Sequence, residues 1–205
     1  MEANKINNIY CVARNYSEHA KELGNVIEDE PVIFLKPNSS INSSNEIVLH
    51  NFSENIHHEV ELVIRIGKNI SNKKEKLDLD VIDSYCIGID LTARDIQSIL
   101  KQKRLPWTLA KGFKGSAILT EFIKAPLPDI NLLELSINEV RCQYDTTENL
   151  IYDIPYLLNY IDLHFGLAEG DLIYTGTPSG VGELKKGDNL TLKLNNIHTY
   201  KFKVL

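Results

Sequence analysis

The chain is poor in cysteine. Three stand among 205 residues, Cys11, Cys86 and Cys142. They are odd in number, far apart and without a CxxC pair, which argues against a disulfide framework or a zinc ribbon. Long apolar runs are missing too. No stretch approaches the ~20 residues a membrane helix needs. The opening Met1-Glu2-Ala3-Asn4-Lys5-Ile6 carries an acid early, unlike a signal peptide or an Arg-rich transit peptide. A cytoplasmic protein in a reducing compartment, without membrane attachment, is therefore expected. Positive charge is short: 22 basic residues face 28 acidic ones, a net charge of −6. With no basic cluster interleaved with aromatics, nucleic acid is not an expected partner. The one basic run, Lys101-Gln102-Lys103-Arg104, reads as a helix end, where cations suit the dipole. No GxGxxG, P-loop or GxSxG occurs, nor any repeat, low-complexity linker or domain boundary.

What is present is an ordinary globular composition, 43% apolar and 24% charged, in a chain long enough for one good core. The most informative stretch runs from Ile56 to Ile66 (Ile-His-His-Glu-Val-Glu-Leu-Val-Ile-Arg-Ile). Read as one strand, it has an apolar face (Ile56, Val60, Leu62, Ile64, Ile66), interrupted by His58. The other face is mostly polar (His57, Glu59, Glu61, Val63, Arg65). Such a strand is ordinarily a solvated antiparallel one. Yet Glu59 and Glu61 point the same way, ~7 Å apart at Cα. A hard divalent cation, which prefers oxygen ligands, would relieve their repulsion. Residues 84–93 repeat the pattern, placing Asp90 mid-strand, where Asp is depleted. A third carboxylate on a second strand could complete an open cage. Cys86 is a packing residue by this reading, because thiolate is too soft for an oxygen site.

Elsewhere, residues 8–13 and 32–35 read as short strands, 38–46 as a loop, and 68–80 as a charged connection with room for a helical turn. Ser17 can cap a short helix that Gly24 ends. His19 and Glu22, three apart on it, can form a base with its orienting acid, or simply a surface pair. A helix from Arg94 to Leu100 has Ile96, Ile99 and Leu100 as its core stripe, with Arg94 and Gln97 on another face. Arg94 suits capture of a carboxylate, and Gln97 can donate an N–H. Residues 105–113 read as an irregular loop. In it Lys111 sits unshielded between Ala110 and Gly112, either a solvated lysine or one that steadies an anion. Hairpins are expected within 132–143 and at the C-terminus. Pro155 to Phe165 reads as a helix that Gly166 closes. Thr175 and Thr177 offer hydroxyls in a Gly-rich turn after a strand.

Together these segments resemble the fumarylacetoacetate hydrolase family, in its short acylpyruvase-like branch. The resemblance rests on Arg14-Asn15-Tyr16 with His19, Phe34-Leu35-Lys36-Pro37, and His57-His58-Glu59-Val60-Glu61-Leu62. It rests also on Gly88 to Gln97, Pro106 to Lys111, and Thr175-Gly176-Thr177-Pro178 with Gly180 and Gly182. It implies an α+β roll of mixed β-sheets with a few helices, residues 1–205 being a single catalytic domain, usually a homodimer. It also implies that Glu59, Glu61 and Asp90 hold Mg²⁺ or Mn²⁺, with Ca²⁺ able to take its place. His19 and Glu22 would form the base dyad, on a segment that orders as a lid. Arg94, Gln97, Lys111 and Thr177 would position a small 2-oxo or diketo acid, Lys111 doubling as a catalytic group. Gly112, Lys114 and Gly115 depart from the small polar residues of near relatives, which leaves the acyl preference open. The implied reaction is hydrolysis of the C–C bond of a 3-acylpyruvate to pyruvate and a carboxylic acid. The same parts would serve an oxaloacetate decarboxylase or an oxaloacetate tautomerase. A non-catalytic, metal-stabilised binding protein is the rival from another class, and it leaves His19, Glu22, Arg94 and Lys111 without a task.

Overall fold

The computed structural model describes residues 6–22, 28–70 and 76–205. Ile9–Ala13 forms β1, a largely buried apolar run suited to mid-sheet. Ser17–Glu22 is α1; the stop expected at Gly24 lies outside the described residues. Val32–Lys36 is β2. The expected loop 38–46 carries a 3₁₀ turn, Asn38–Ser40, and two short strands, β3 (Ile41–Asn42) and β4 (Glu46–Ile47). Ile56–His58 is β5 and Val60–Ile66 is β6. A helical turn at Leu79–Val81 precedes β7 (Ile82–Asp90) and β8 (Thr92–Ala93). Then come α2 (Arg94–Gln102), α3 (Thr108–Lys111), β9 (Ala117–Leu119) and β10 (Ile123–Lys124). The hairpin of β11 (Leu132–Ile137) and β12 (Val140–Thr146) leads into α4 (Ile154–Phe165). The chain closes with β13 (Leu172–Tyr174), β14 (Gly182–Glu183), β15 (Asn189–Leu194) and β16 (His198–Val204).

The strands form three sheets. The largest runs β2-β1-β13-β6-β7-β9-β3, with β10 also on β7; it mixes parallel pairs (β1–β13, β3–β9) with antiparallel ones. The second runs β12-β11-β15-β16-β4 and the third β14-β5-β8. This is the expected α+β fold of mixed sheets with few helices. Among the described residues, no helix is long and apolar enough to cross a membrane.

The local signals explain α4 well. Asp153 caps it by accepting from Tyr156 N–H at 2.8 Å, Pro155 sits in its first turn, and Gly166 follows its end. Ile154, Leu157, Leu158 and Ile161 are its buried stripe. Other expectations need correction. Residues 105–113 are not all loop, because α3 occupies Thr108–Lys111. Ile99 is 49% exposed, so α2 buries Gln97 and Leu100 instead of an Ile96–Ile99–Leu100 stripe. The stretch 56–66 is not one strand, since Glu59 interrupts it.

The polar face of β6 is not solvated either. Every residue of β6 is buried. Val60, Leu62, Ile64 and Ile66 join the main core with Leu133, Leu135 and Leu192 from the second sheet. Val63 joins a smaller core on the opposite face with Cys11, Cys86, Leu172 and Tyr174. Cys86 is thus a packing residue, and burial pushes its thiol up to about 12.

Candidate active site

Two neighbouring strands change sheets at the same level. β6 pairs with β7 in the large sheet, whereas β5 pairs with β8 in the small one. Glu59 is the hinge residue on one chain segment and Leu91 on the other. Backbone groups freed at the break find partners elsewhere: Asp90 N–H donates to Glu59 O at 2.8 Å, and Leu91 N–H to Ser116 O at 2.8 Å. The corner gathers the carboxylates of Glu59, Glu61 and Asp90. One oxygen from each lies within 4.8 Å of the others, and all three residues are buried.

Buried carboxylates cost several kcal/mol each to desolvate unless they are paired. Lys111 Nζ lies 2.7 Å from Glu59 Oε2, 2.5 Å from Asp90 Oδ2 and 2.6 Å from Thr92 Oγ1. Arg94 donates to Glu59 Oε1 at 2.5 Å and to Gln97 Oε1 at 2.7 Å. Lys36 Nζ sits 2.7 Å from Asp90 Oδ1, but its hydrogen bonds go to Leu91 O, Lys111 O and both Ser116 oxygens. That contact is therefore charge against charge without hydrogen-bond alignment. Burial alone would push Glu59 up, yet Lys111 and Arg94 hold its carboxyl below the usual range. Burial likewise opposes charge on Lys111, but Asp90 and Glu59 hold its ammonium above the usual value. Glu61 is the exception. Burial, then Asp90 and Glu59, raise it well above the usual range, against Lys111 and one backbone donor, Gly176 N–H at 2.6 Å. Three carboxylate oxygens this close are a fitting donor set for a hard divalent cation.

His19 is 4% exposed, and its Nδ1 is 3.2 Å from Glu22 Oε2. Burial lowers its pKa, against the pull of Glu59 and Glu22, which favours the neutral imidazole. Glu22 in turn accepts from Gly180 N–H at 3.1 and 3.2 Å, tying α1 to the loop after β13. Two glycines make that loop feasible. At Gly176 (φ +106°) a Cβ would come within 2.7 Å of Asn15 Cβ, and at Gly180 (φ +93°) within 2.0 Å of Cys142 O. Thr177 lies between them, its Oγ1 accepting from Gln143 Nε2 at 2.8 Å. One narrow cleft of about 30 Å³ is lined by His19, Glu59, Glu61, Asp90, Arg94, Gln97, Lys111 and Thr177, with Arg14, Phe34, Lys101 and Trp107 also on its walls. Of the expected site residues only Glu22 is not on the wall; it stands behind His19.

The model of the fumarylacetoacetate (FAA) hydrolase C-terminal region matches residues 8–205. The chain belongs to the fumarylacetoacetate hydrolase family. It is 39% identical over 201 residues to the mitochondrial oxaloacetate tautomerase FAHD1 of Mus musculus, covering 96% of this chain and 91% of that protein. It is 43% identical over 196 residues to the mitochondrial oxaloacetate decarboxylase of Dictyostelium discoideum, with 93% and 90% covered. Among solved structures it matches fumarylpyruvate hydrolase from Pseudomonas aeruginosa, in complex with Mn²⁺ and pyruvate, at a TM-score of 0.90 and 29% identity, with 98% and 91% covered.

Within this fumarylacetoacetate hydrolase fold, three side chains the sequence did not single out support the corner. Lys36 steadies Lys111 O and Asp90 from β2; its only signal is its place beside Pro37 in a matching motif. Thr92 accepts from Lys111. Gln143, fully buried on β12, uses all four of its hydrogen-bonding capacities. Its Oε1 lies 2.9 Å from His58 Nδ1 and accepts from Val60 N–H at 3.0 Å. Its Nε2 donates to Thr177 Oγ1 and Pro178 O, each at 2.8 Å. It joins the strand break beside Glu59 to the Thr177 loop, and nothing in a β-hairpin sequence announces that.

Proposed function

We propose that the chain is a metal-dependent enzyme of small 2-oxo acids that interconverts the keto and enol forms of oxaloacetate, with Glu59, Glu61 and Asp90 holding Mg²⁺ or Mn²⁺. One observation carries this reading: a single cleft collects three buried carboxylates, the cations Arg94 and Lys111, and the buried His19 backed by Glu22. The oxaloacetate tautomerase and decarboxylase relatives support the choice of substrate. A bound cation would supply Lewis-acid polarisation of the 2-oxo and carboxylate oxygens. The chain's own residues do the rest. Arg94 and Gln97 orient the carboxylate beside the 2-oxo group, and Thr177 offers a hydroxyl from the opposite wall. With Nδ1–H donated to Glu22, His19 Nε2 is an acceptor and takes the proton from C3. Lys111, whose N–H groups hold Glu59, Asp90 and Thr92, sets its positive charge beside the oxygen on which negative charge develops. The imidazolium, balanced by Glu22, then gives a proton to that oxygen.

A second reading is hydrolysis of a 3-acylpyruvate, favoured by the likeness to fumarylpyruvate hydrolase. There His19 would take its proton from water, which attacks the acyl carbonyl. The deciding experiment compares keto–enol exchange and decarboxylation of oxaloacetate with cleavage of acetylpyruvate and fumarylpyruvate, on stripped protein reloaded with Mg²⁺ or Mn²⁺. Metal-dependent exchange that falls by about 10²–10⁴ in His19→Ala is expected, the usual worth of a general base. Turnover of acylpyruvates with no acceleration of exchange would overturn the tautomerase reading in favour of the hydrolase.

A further inference from the structure

The helix α2 presents more to the cleft than Arg94 and Gln97. Lys101 lines it as well, and positions 94, 97 and 101 fall on one helical face. Arg94 and Lys101 are separated by about 10 Å along the axis at 1.5 Å per residue. Helical side chains lean toward the N-terminus, which brings the long Lys101 stem back over Gln97. The sequence suggested only a helix-end cation here; the structure turns Lys101 inward. Its ammonium lies 5.4 Å from the centre of the Trp107 ring, and among the described residues it has no hydrogen-bond or ion-pair partner. Arg14 approaches the same ring, its Cζ 5.9 Å from the centre. A left-handed backbone at Arg14 (φ 59°) begins the turn into α1. The carboxylate paired with Arg14 is Glu28, 3.1 Å away and half-exposed.

Arg14, Lys101 and Arg94 thus converge on one narrow cleft, while Glu59 and Asp90 there are paired with Arg94, Lys111 and Lys36, leaving Lys101 unpaired among the described residues. Burial, then Arg14 and Arg94, push the Lys101 pKa down, the mark of crowded positive charge. We infer that Arg14 and Lys101, backed by Trp107, form a second anion subsite that receives the distal carboxylate of a four-carbon 2-oxo dicarboxylate. Arg94 with the Glu59–Glu61–Asp90 corner takes the 2-oxo acid end. The inference rests on the functional reading above for that end alone. It goes further by making the site selective for dianions over monoanionic acylpyruvates and pyruvate.

Binding tests it independently of turnover. Dissociation constants of oxaloacetate and pyruvate are measured by calorimetry on Mn²⁺-loaded protein, wild type and Arg14→Gln/Lys101→Met. The wild type is expected to prefer oxaloacetate by about tenfold or more, the worth of a charge-assisted hydrogen bond. The double variant should lose most of that ratio, and Lys101→Arg should keep it. Equal affinities in the wild type overturn the subsite. So does a double variant that weakens both ligands alike, because that marks a structural loss. Selective binding of oxaloacetate without turnover would sink the proposed reaction and leave the subsite standing. Turnover with an unchanged ratio in the double variant would do the reverse.

Discussion

Phe34 and Trp107, packed edge-on with centroids 6.2 Å apart, wall off two very different hollows. On one side is an open groove of about 830 Å³ along β2, lined by Leu35, Pro37, Leu105 and Pro106 among others. On the other is the cleft of about 30 Å³ with its crowded charges. By size alone the groove would be chosen as the site. It holds Lys36 only by its stem, since the ammonium points into the corner, and it gathers no carboxylates. Chemistry goes with the charges that the fold has gathered and desolvated. The two hollows share a wall, so substitutions on either side separate the two explanations.

The largest effect is expected at the corner. Glu61→Gln removes a carboxylate whose one hydrogen-bond donor among the described residues is Gly176 N–H. Mn²⁺ affinity should fall by more than the about 10–100-fold that an outer partner is worth, read by calorimetry and elemental analysis. Normal metal content in this variant would remove the cage from the reading. Next comes Gln143→Leu, which strands Val60 N–H and Pro178 O in the interior. A loss of about 2–4 kcal/mol is expected from unmet buried groups, read by denaturant unfolding. Metal affinity should weaken with it, whereas a purely structural glutamine would lower stability alone. Gly180→Ala sets a Cβ against Cys142 O and should loosen Glu22 from its N–H. A drop of about tenfold in kcat with metal affinity unchanged is the expected signature of a disturbed His19–Glu22 pair. The smallest effect belongs to the groove. Leu105→Ser, on a half-exposed side chain, should leave kcat/KM for oxaloacetate within about threefold, in line with ordinary surface substitutions. A larger loss there would make the groove part of the substrate path.

The sequence revealed what is locally encoded. Glu61 on β6, the capping of α4 and both hairpins follow from two-residue alternation or from turn chemistry, whereas Glu59 sits at the break before β6 and Asp90 ends β7 instead of lying mid-strand. Two things were hidden because distant residues decide them. The polar face of β6 is dry where Val63 clusters with Cys11, Leu172 and Tyr174 from β1 and β13, strands far away in sequence that lie beside it in the same sheet. The break at Glu59 is met by the side chain of Gln143, which accepts from Val60 N–H 83 residues earlier. From the sequence Lys101 is an ordinary helix-end cation, because the ring beside it, Trp107, lies beyond the end of its own helix. The family resemblance supplied the roles, and geometry supplied the supports that hold them.

The bond from Val60 N–H to Gln143 has a consequence for how the molecule assembles. Val60 belongs to the large sheet and Gln143 to the second one. The backbone beside Glu59 can therefore take its final course only once the two sheets have docked. A cation at the corner would then act as a late-stage inspector of the fold, binding tightly only to chains whose halves have closed correctly. Loosening of β12 from β6 by denaturant should thus release the ion before either sheet unravels.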